Sequence, residues 1–370
     1  MSRSILSFLA VVSYILQSSC SPPPISGGLA VSHWDRSHVG GGQGGISGAG
    51  SGGGQGEGQG GNPSTPMIPL MPDNFPDPAF IEVDGTFYAF ATQSGGANVP
   101  IASSTNMTGM AIVKKPDGAL EDAMPTLPSW TNQKDPGIWA PDVVQLADGS
   151  FVLYYSATSD KDESKHCIGA ATSQSITGPF VPTDHELACP LKVGGAIDPA
   201  GFVDADGKVY VVYKVDGNSL GGGGPCGNKD QAHDTPLMLQ EVSATDGYTP
   251  IGDATPLLHL SPSDGPLIEA PSLVRSADGT YVLFFSSNCY NTQFYDTSYA
   301  TSTNVVGPYT RSSTPLLVTG INGLLSPGGT DVLADGSRIV FHADVNPSDA
   351  SVRHMYTSRI RISGTTVSLA

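Results

Sequence analysis

The sequence predicts an all-β fold, a five-bladed β-propeller, and two repeated patterns carry that prediction. The first is a phrase that returns five times: an acidic residue, a short apolar run, an Asp-Gly turn and an aromatic-rich strand. The copies are PDPAFIEVDGTFYAFAT, APDVVQLADGSFVLYYSAT, IDPAGFVDADGKVYVVYK, EAPSLVRSADGTYVLFFSSN and GTDVLADGSRIVFHAD. The shared glycine falls at Gly85, Gly149, Gly207, Gly279 and Gly336, at intervals of 57–72 residues. Repeats of this size indicate one supersecondary unit used five times.

Each unit contains the signals of about four strands, which is the content of one propeller blade. Runs such as FVLYYSA, KVYVVYK and TYVLFFSS are rich in Val, Tyr and Phe, which favour strands. The Asp-Gly turn before each run is typical of a β-hairpin. A second phrase then predicts an outer strand and a turn in every unit: PIASSTNMTGM, IGAATSQSITGPF, LMLQEVSATDGY, YATSTNVVGPYT and MYTSRIRIS. No segment shows a convincing helical pattern.

The chain divides into three segments by composition. Residues 1–20 resemble a secretory signal peptide, with a positive charge at Arg3, an apolar run and small residues before Cys20. A lipid anchor at Cys20 is the weaker alternative, because Gln17 interrupts the residues expected there. Residues 21–66 are rich in Gly, Pro and Ser and predict a disordered tail, since they cannot bury enough apolar surface to fold. Residues 67–370 form the predicted propeller, and we expect a secreted, extracellular protein.

The charge balance excludes some partners. The chain carries 34 Asp and Glu against 17 Lys and Arg, a net charge of −17, with no basic cluster. Nucleic acid and anionic membranes are therefore poor partners, and a neutral substrate suits the chain better. We expect a monomer that has no membrane association after signal removal.

Four of the five cysteines follow the predicted processing site and can form two disulfides in an oxidising compartment. The preferred pairing is Cys167 with Cys189, and Cys226 with Cys289. Four cysteines allow three pairings, so the other two remain open. The absence of a CxxC spacing in the sequence argues against zinc.

The acids that open the five units are the candidate site. They are Asp77, Asp142, Asp198, Glu269 and Asp331. If each opens the innermost strand of a blade, all five lie at one mouth of the central channel. Their mutual repulsion and burial would raise some of their pKa values, which suits acid–base catalysis. For Asp142 and Asp331 the alternative of ordinary turn residues is favoured about two to one, because Asp is common in turns.

The same residues resemble glycoside hydrolase family 43, five-bladed propeller enzymes of arabinan and xylan breakdown, over about residues 67–370. The resemblance implies that Asp77 in NFPDPAF is the general base and that Glu269 in GPLIEAPSL is the general acid. Asp198 in GAIDPAG then orients the acid and modulates its pKa. The WAPD phrase implies that Trp139 lies near the sugar. Phe75, Trp139 and Asp142 are the predicted substrate-binding residues, and the cluster Tyr290, Phe294, Tyr295 and Tyr299 is a weaker candidate.

Two expectations concern cofactors. No cofactor is required, and a single axial Ca²⁺ is in doubt, because Gly329 stands where many arabinan-cleaving members have a His. His342 is the candidate metal ligand, with a hydrogen-bonded His inside a blade as the favoured alternative.

The sequence thus predicts an inverting glycosidase, whose base and acid lie about 6.5–9.5 Å apart across a water. The expected substrate is an α-L-arabinofuranosyl linkage in plant cell-wall arabinan or arabinoxylan. The alternatives are a β-xylosidase or another glycosidase of the same fold, and a carbohydrate-binding propeller without turnover. The different acids in different blades argue against the last, because lectin propellers repeat one site.

Overall fold

The computed structural model describes residues 65–370, and in these residues it contains five antiparallel sheets of four strands each. The predicted signal peptide and all but the last two residues of the predicted tail lie outside the described residues. Each sheet corresponds to one repeat unit, so the predicted five-bladed β-propeller is confirmed.

The strand bounds follow the repeat units. Blade 1 contains β1 (Ala79–Val83), β2 (Thr86–Phe90), β3 (Ile101–Ser104) and β4 (Ala111–Ile112). Blade 2 contains β5 (Trp139–Gln145), β6 (Phe151–Thr158), β7 (His166–Ser173) and β8 (Val181–Pro182). Blade 3 contains β9 (Ala196–Val203), β10 (Val209–Val215), β11 (Leu237–Val242) and β12 (Pro250–Leu258).

The last two blades follow the same plan. Blade 4 contains β13 (Ile268–Arg275), β14 (Tyr281–Ser287), β15 (Ser298–Ser302) and β16 (Thr310–Arg311). Blade 5 contains β17 (Gly328–Val332), β18 (Arg338–Asn346), β19 (Asp349–Ser363) and β20 (Thr366–Leu369). The helices in residues 65–370 are all short 3₁₀ turns, at Leu191–Val193, Gly217–Leu220, Pro225–Gly227, Lys229–Gln231, Pro262–Asp264 and Ile321–Gly323. None of these helices is long and apolar enough to cross a membrane.

The first strand of each blade is the innermost one, and these strands touch in a closed ring. β1 contacts β5, β5 contacts β9, β9 contacts β13, β13 contacts β17, and β17 contacts β1. A separate apolar cluster fills each of the five gaps between neighbouring blades. Alternate side chains of each strand pack into these clusters, which is why Val, Tyr and Phe dominate the repeated phrase.

Both predicted disulfides are confirmed, Cys167–Cys189 and Cys226–Cys289. The first lies beside β7 of blade 2. The second joins the long connection after β10 to the segment after β14, so it ties a blade 3 loop to a blade 4 loop.

Candidate active site

A distorted residue near the start of each innermost strand organises the centre of the ring. We call this the bulge position. Its members all have positive φ: Asp77 (52°), Ala140 (40°), Asp198 (56°), Ala270 (50°) and Gly329 (57°). In blades 2 to 5 the register of strand pairing shifts at this point. Positive φ is uncommon outside glycine and persists where the surroundings fix the backbone.

Hydrogen bonds between blades provide that fixation. At every bulge position the backbone N–H donates to a side chain of the preceding blade. The pairs are Ala140 to Thr92 Oγ1 (2.9 Å), Asp198 to Ser156 Oγ (3.0 Å), Ala270 to Asp198 Oδ2 (2.9 Å), Gly329 to Ser286 Oγ (3.0 Å) and Asp77 to His342 Nδ1 (3.1 Å). The last bond joins blade 5 to blade 1, so the chain of bonds closes around the axis.

The bulge position also shows that the five candidate acids do not share one level of the channel. Asp77 and Asp198 occupy it, Glu269 comes one residue earlier, and Asp142 and Asp331 come two residues later. Two residues along a strand correspond to about 6.6 Å. The five acids therefore lie near the starts of the innermost strands at three different levels, because the repeats align by their bulge rather than by their first acid.

Asp142 and Asp331, the two later acids, join blades instead of facing a ligand. Asp142 accepts a hydrogen bond from the N–H of Gly201 at 2.6 Å. Asp331 accepts from the N–H of Phe80 at 2.8 Å and from Ser272 Oγ at 2.8 Å. Burial and the charge of Asp331 raise the pKa of Asp142 well above its usual range, and burial raises the pKa of Asp331 to about 6.

Asp142 also lies outside the cavity that contains Trp139 and Glu269. It is 6% exposed and borders a narrow space of about 40 Å³ and a separate cavity of about 350 Å³, and neither of these is lined by Trp139 or Glu269. The predicted substrate contact of Asp142 is therefore corrected to a structural tie between blades 2 and 3.

A cavity of about 340 Å³ is lined by the bulge positions of blades 1 to 4. It lies within the range of roughly 300–1,000 Å³ for small-molecule sites. Its lining includes Asp77, Asp198 and Glu269, together with Trp139, Lys214 and Arg353. The three acids that the sequence singled out as unlike turn residues thus meet in one cavity, from blades 1, 3 and 4.

Asp77 is held as an anion. Its Oδ1 accepts from Arg353 Nη1 at 2.8 Å, and its Oδ2 accepts from Thr92 Oγ1 at 2.6 Å. Burial opposes ionisation, but the charge of Arg353, with these hydrogen bonds, holds the pKa of Asp77 below its usual value. The carboxylate is thus ready to accept a proton at neutral pH.

Asp198 and Glu269 form a coupled pair with a buried cation beside it. Burial and the charge of Glu269 raise the pKa of Asp198 to about 8. Lys214 Nζ lies 3.0 Å from Glu269 Oε2 and 3.0 Å from Asp216 Oδ1, and the lysine is fully buried. Because its pKa is raised to about 8, Asp198 retains a proton at neutral pH beside Glu269.

The aromatic predictions have different outcomes. Trp139 is 38% exposed, lines the cavity and stacks on His166 with ring centroids 3.7 Å apart. The ring thus borders the cavity, and its predicted contact with a sugar stays a prediction. Phe75 is 0% exposed, in the apolar cluster between blades 5 and 1. Its predicted substrate contact is therefore wrong, since its ring presents no face to the cavity. Of the weaker cluster, Tyr290 and Tyr295 line the cavity.

His342 has the hydrogen-bonded position inside a blade that was the favoured alternative. Its Nδ1 accepts from the Asp77 N–H, its ring is fully buried, and Tyr295 stacks on it at 5.9 Å. Burial and the charge of Arg353 lower the pKa of His342 to about 3, so it is neutral. A Cβ at Gly329 would lie 2.6 Å from His342 Cε1, so the His342 ring excludes any side chain there.

These contacts do not fit an axial metal held by three or more side chains. In residues 65–370, the group of His, Cys, Asp and Glu that converges closely enough for a metal is Cys167, Glu186 and Cys189. Its two cysteines form a disulfide and lie in blade 2, away from the channel. His342 is therefore better described as the side chain that joins blade 5 to blade 1.

Sequence reasoning missed three residues of the cavity: Thr92, Lys214 and Arg353. A lone lysine within the apolar run VYVVYKV was the one local signal, because a charge in a buried strand requires partners. Arg353 lies 276 residues from Asp77, and nothing in the local sequence indicates that contact.

Comparison with known proteins identifies the family. The model of glycosyl hydrolases family 43 matches residues 67–365, so the chain belongs to that family of O-glycosyl hydrolases. An extracellular endo-α-(1→5)-L-arabinanase of Bacillus subtilis (strain 168) is 29% identical over 160 residues. That match covers 37% of this chain and 32% of the arabinanase, so it spans about a third of the relative's length.

Two further similarities extend over more of the chain. A xylosidase/arabinosidase of Bacteroides ovatus is 26% identical over 310 residues, 75% of this chain and 88% of that protein. The crystal structure of a thermostable family-43 glycoside hydrolase has a TM-score of 0.68 at 23% identity, covering 82% of this chain and 96% of that chain. At this identity the structural match supports the fold.

Proposed function

We propose that this protein is a secreted, inverting glycoside hydrolase that cleaves α-L-arabinofuranosyl linkages in plant cell-wall arabinan or arabinoxylan. The observation that carries the proposal is the meeting of Asp77, Asp198 and Glu269 in one cavity, with Asp77 and Glu269 from non-adjacent blades. Blade 5 separates their two strands in the ring. This arrangement supports a base and an acid on opposite faces of a sugar, as inversion requires.

Asp77 acts as the general base in this mechanism. Arg353 and Thr92 fix both of its oxygens and keep it ionised. A water between Asp77 and the anomeric carbon gives up its proton to Asp77 as it attacks. The low pKa of Asp77 keeps the base competent in mildly acidic solution.

Glu269 acts as the general acid and protonates the departing glycosidic oxygen. Its Oε2 is paired with Lys214, which leaves Oε1 for the leaving group. Asp198, whose pKa is raised to about 8, holds a proton at neutral pH and is fixed by the N–H of Ala270 at 2.9 Å. Since the two carboxyls hold a proton near neutral pH, the pair provides the acid that inversion needs.

The arabinose preference rests on similarity to the Bacillus subtilis arabinanase. Cleavage of β-xylosides is the second candidate. It is favoured by the Bacteroides ovatus xylosidase/arabinosidase, which matches 75% of this chain. Extracellular action is supported by the two disulfides, which persist in oxidising compartments. The reaction requires no cofactor, because the two carboxyl groups and water complete it.

Activity on matched substrates tests the proposal. The purified protein is assayed on linear arabinan, arabinoxylan, xylo-oligosaccharides, and the nitrophenyl glycosides of α-L-arabinofuranose and β-D-xylose. We expect release of arabinose or arabino-oligosaccharides with kcat/KM at least about tenfold above that on xylosides. A tenfold reversal of that order supports the xylosidase instead. Binding of arabinan without turnover would contradict catalysis and favour a carbohydrate-binding propeller.

A further inference from the structure

Blade 3 differs from the other blades in the side chain that accepts the hydrogen bond to the next blade. In each blade, a residue on the second strand or just after its end lies opposite the start of the innermost strand, and we call this the acceptor position. Its members are Thr92, Ser156, Lys214, Ser286 and His342. The strand pairs Trp139 with Ser156, Ile197 with Lys214, Glu269 with Ser286, and Gly328 with His342, and the Thr92 N–H donates to Pro76 O.

In four blades the acceptor position performs the same structural task. Thr92, Ser156, Ser286 and His342 each accept the backbone N–H of the next bulge position. Lys214 cannot do so, because an ammonium group offers donors and no acceptor. The N–H of Ala270 therefore donates to Asp198 Oδ2 instead, at 2.9 Å. The bond between blades 3 and 4 is thus kept, but its acceptor is the Asp198 carboxylate instead of the residue at the acceptor position.

The exchange places a buried charge against the predicted acid. Lys214 is 0% exposed and its ammonium contacts carboxylates of two elements, Glu269 on β13 and Asp216 after β10. Burial alone would lower the pKa of Lys214, but Asp216 and Glu269 raise it, so the side chain is charged. A buried lysine is costly for a fold, and a serine at this position satisfies the ring in two other blades. Stability therefore does not account for Lys214.

We propose that Lys214 is a positioning residue for catalysis, which fixes the Glu269 carboxylate and, with Asp198, sets the pH range over which the pair holds its proton. The proposal rests on the proposed function, since it deepens the role of Glu269 in that reaction. One Nζ–H fixes Glu269 Oε2, and Oε1 stays directed to the glycosidic oxygen. With lysine at the acceptor position, the Ala270 N–H donates to Asp198 instead. This one residue therefore determines the positions of both carboxyls.

Other charged and titratable groups face this pair, and they stay unchanged in the test. They are Asp77 on the blade 1 side, Asp216 beside Lys214, Tyr295 after β14, and His166 beside Asp216. The side chains that act most strongly on Asp77 are Arg353, the neutral His342 and Thr92, and Lys214 is not among them. A change at Lys214 should therefore alter the alkaline limb of the pH profile and spare the acid limb.

Lys214→Met tests the proposal through pH profiles of kcat/KM, using an activated aryl glycoside and an alkyl glycoside or oligosaccharide of the same sugar. Loss of the cation disfavours the ionised carboxyls, so the alkaline limb should move up by about one pH unit. Activity on the poor leaving group should fall at least about tenfold more than on the aryl glycoside. Lys208→Met is the control, because Lys208 pairs with Glu241 at the surface beside the same strand. Lys214→Arg keeps the charge and should restore the alkaline limb.

An unmoved alkaline limb with equal losses on both substrates would overturn the proposal and leave Lys214 a structural residue. If Lys214→Met does not fold, Lys214→Met with Asp216→Asn removes both charges of the pair. In that variant the alkaline limb should stay within about 0.3 pH unit of the wild-type position, because the net charge is unchanged. Activity on the poor leaving group should still fall more than activity on the aryl glycoside. Equal losses there overturn the proposal too. An inactive wild-type protein would instead refute the proposed function, so the two failures are distinguishable.

Discussion

Replacing Arg353 by methionine removes the guanidinium that donates to Asp77 Oδ1 at 2.8 Å. A neighbouring arginine lowers the pKa of an aspartate by about 1–3 units. Burial of Asp77 opposes its charge, and the Thr92 hydrogen bond remains in the variant. We therefore expect the acid limb of kcat/KM to move up by about 1–2 pH units. One unit below the new midpoint about a tenth of the base is ionised, so kcat/KM is about tenfold below its plateau.

The assay uses an activated aryl glycoside, so that proton donation to the leaving group contributes little. The alkaline limb should stay in place, because Arg353 acts on Asp77. The same interaction also stabilises the fold. Since the folded pKa of Asp77 is depressed, this stability is present above the unfolded pKa and is lost as pH falls through the folded value. Arg353→Met should therefore lose about 1–3 kcal/mol of unfolding free energy at neutral pH.

Arg359→Met is the matched control, because Arg359 lies on the same strand, β19, and is exposed. It should leave the profile and the stability unchanged. An Arg353→Met protein with an unmoved acid limb would refute Asp77 as the ionised base. A limb that moves equally in both variants would show a general charge effect instead.

The remaining predictions concern the acid pair and the closure of the ring. Glu269→Gln should lose about 10²–10⁴-fold on poor leaving groups and clearly less on aryl glycosides, and equal losses would contradict the acid role. Asp198→Asn should move the alkaline limb of kcat/KM down by about one unit or more, because it removes the carboxyl whose pKa is about 8; an unchanged limb argues against a shared proton. His342→Ala should cost about 2–4 kcal/mol in urea unfolding, since it opens a cavity and leaves the Asp77 N–H without its acceptor. His185→Ala, at an exposed histidine, is the control for this variant. A cost of His342→Ala under about 1 kcal/mol would mean that the ring closes without His342.

Repeats and turns made the fold predictable from the sequence. The Asp-Gly signals marked the hairpins, and the spacing of the cysteines within and between units favoured the two disulfides that the structure contains. Asp77, Asp198 and Glu269 were distinguishable because a proline follows each of them. It follows Asp77 and Asp198 directly, and it follows Glu269 after one intervening residue. That proline follows a bulge position in four blades.

Three features of the site were beyond sequence reasoning for physical reasons. A bulge adds one residue to a strand and leaves no unique composition, so the different levels of Asp142 and Glu269 were hidden. Phe75 precedes the first acid in sequence, but its ring turns into the apolar cluster between blades. Glu269 lies 55 residues from Lys214 and meets it where blades 3 and 4 pack together, and Asp77 lies 276 residues from Arg353 and meets it where blade 5 closes against blade 1.

The anomeric configuration of the first product tests the central claim most directly. Proton NMR during the first minutes of hydrolysis, before mutarotation equilibrates the sugar, distinguishes the two anomers. Asp77 as base and Glu269 as acid, on opposite sides of one cavity, predict that an α-linked substrate first gives the β-sugar. An α-sugar as first product would mean retention through a covalent intermediate, and it would contradict the roles proposed for both residues.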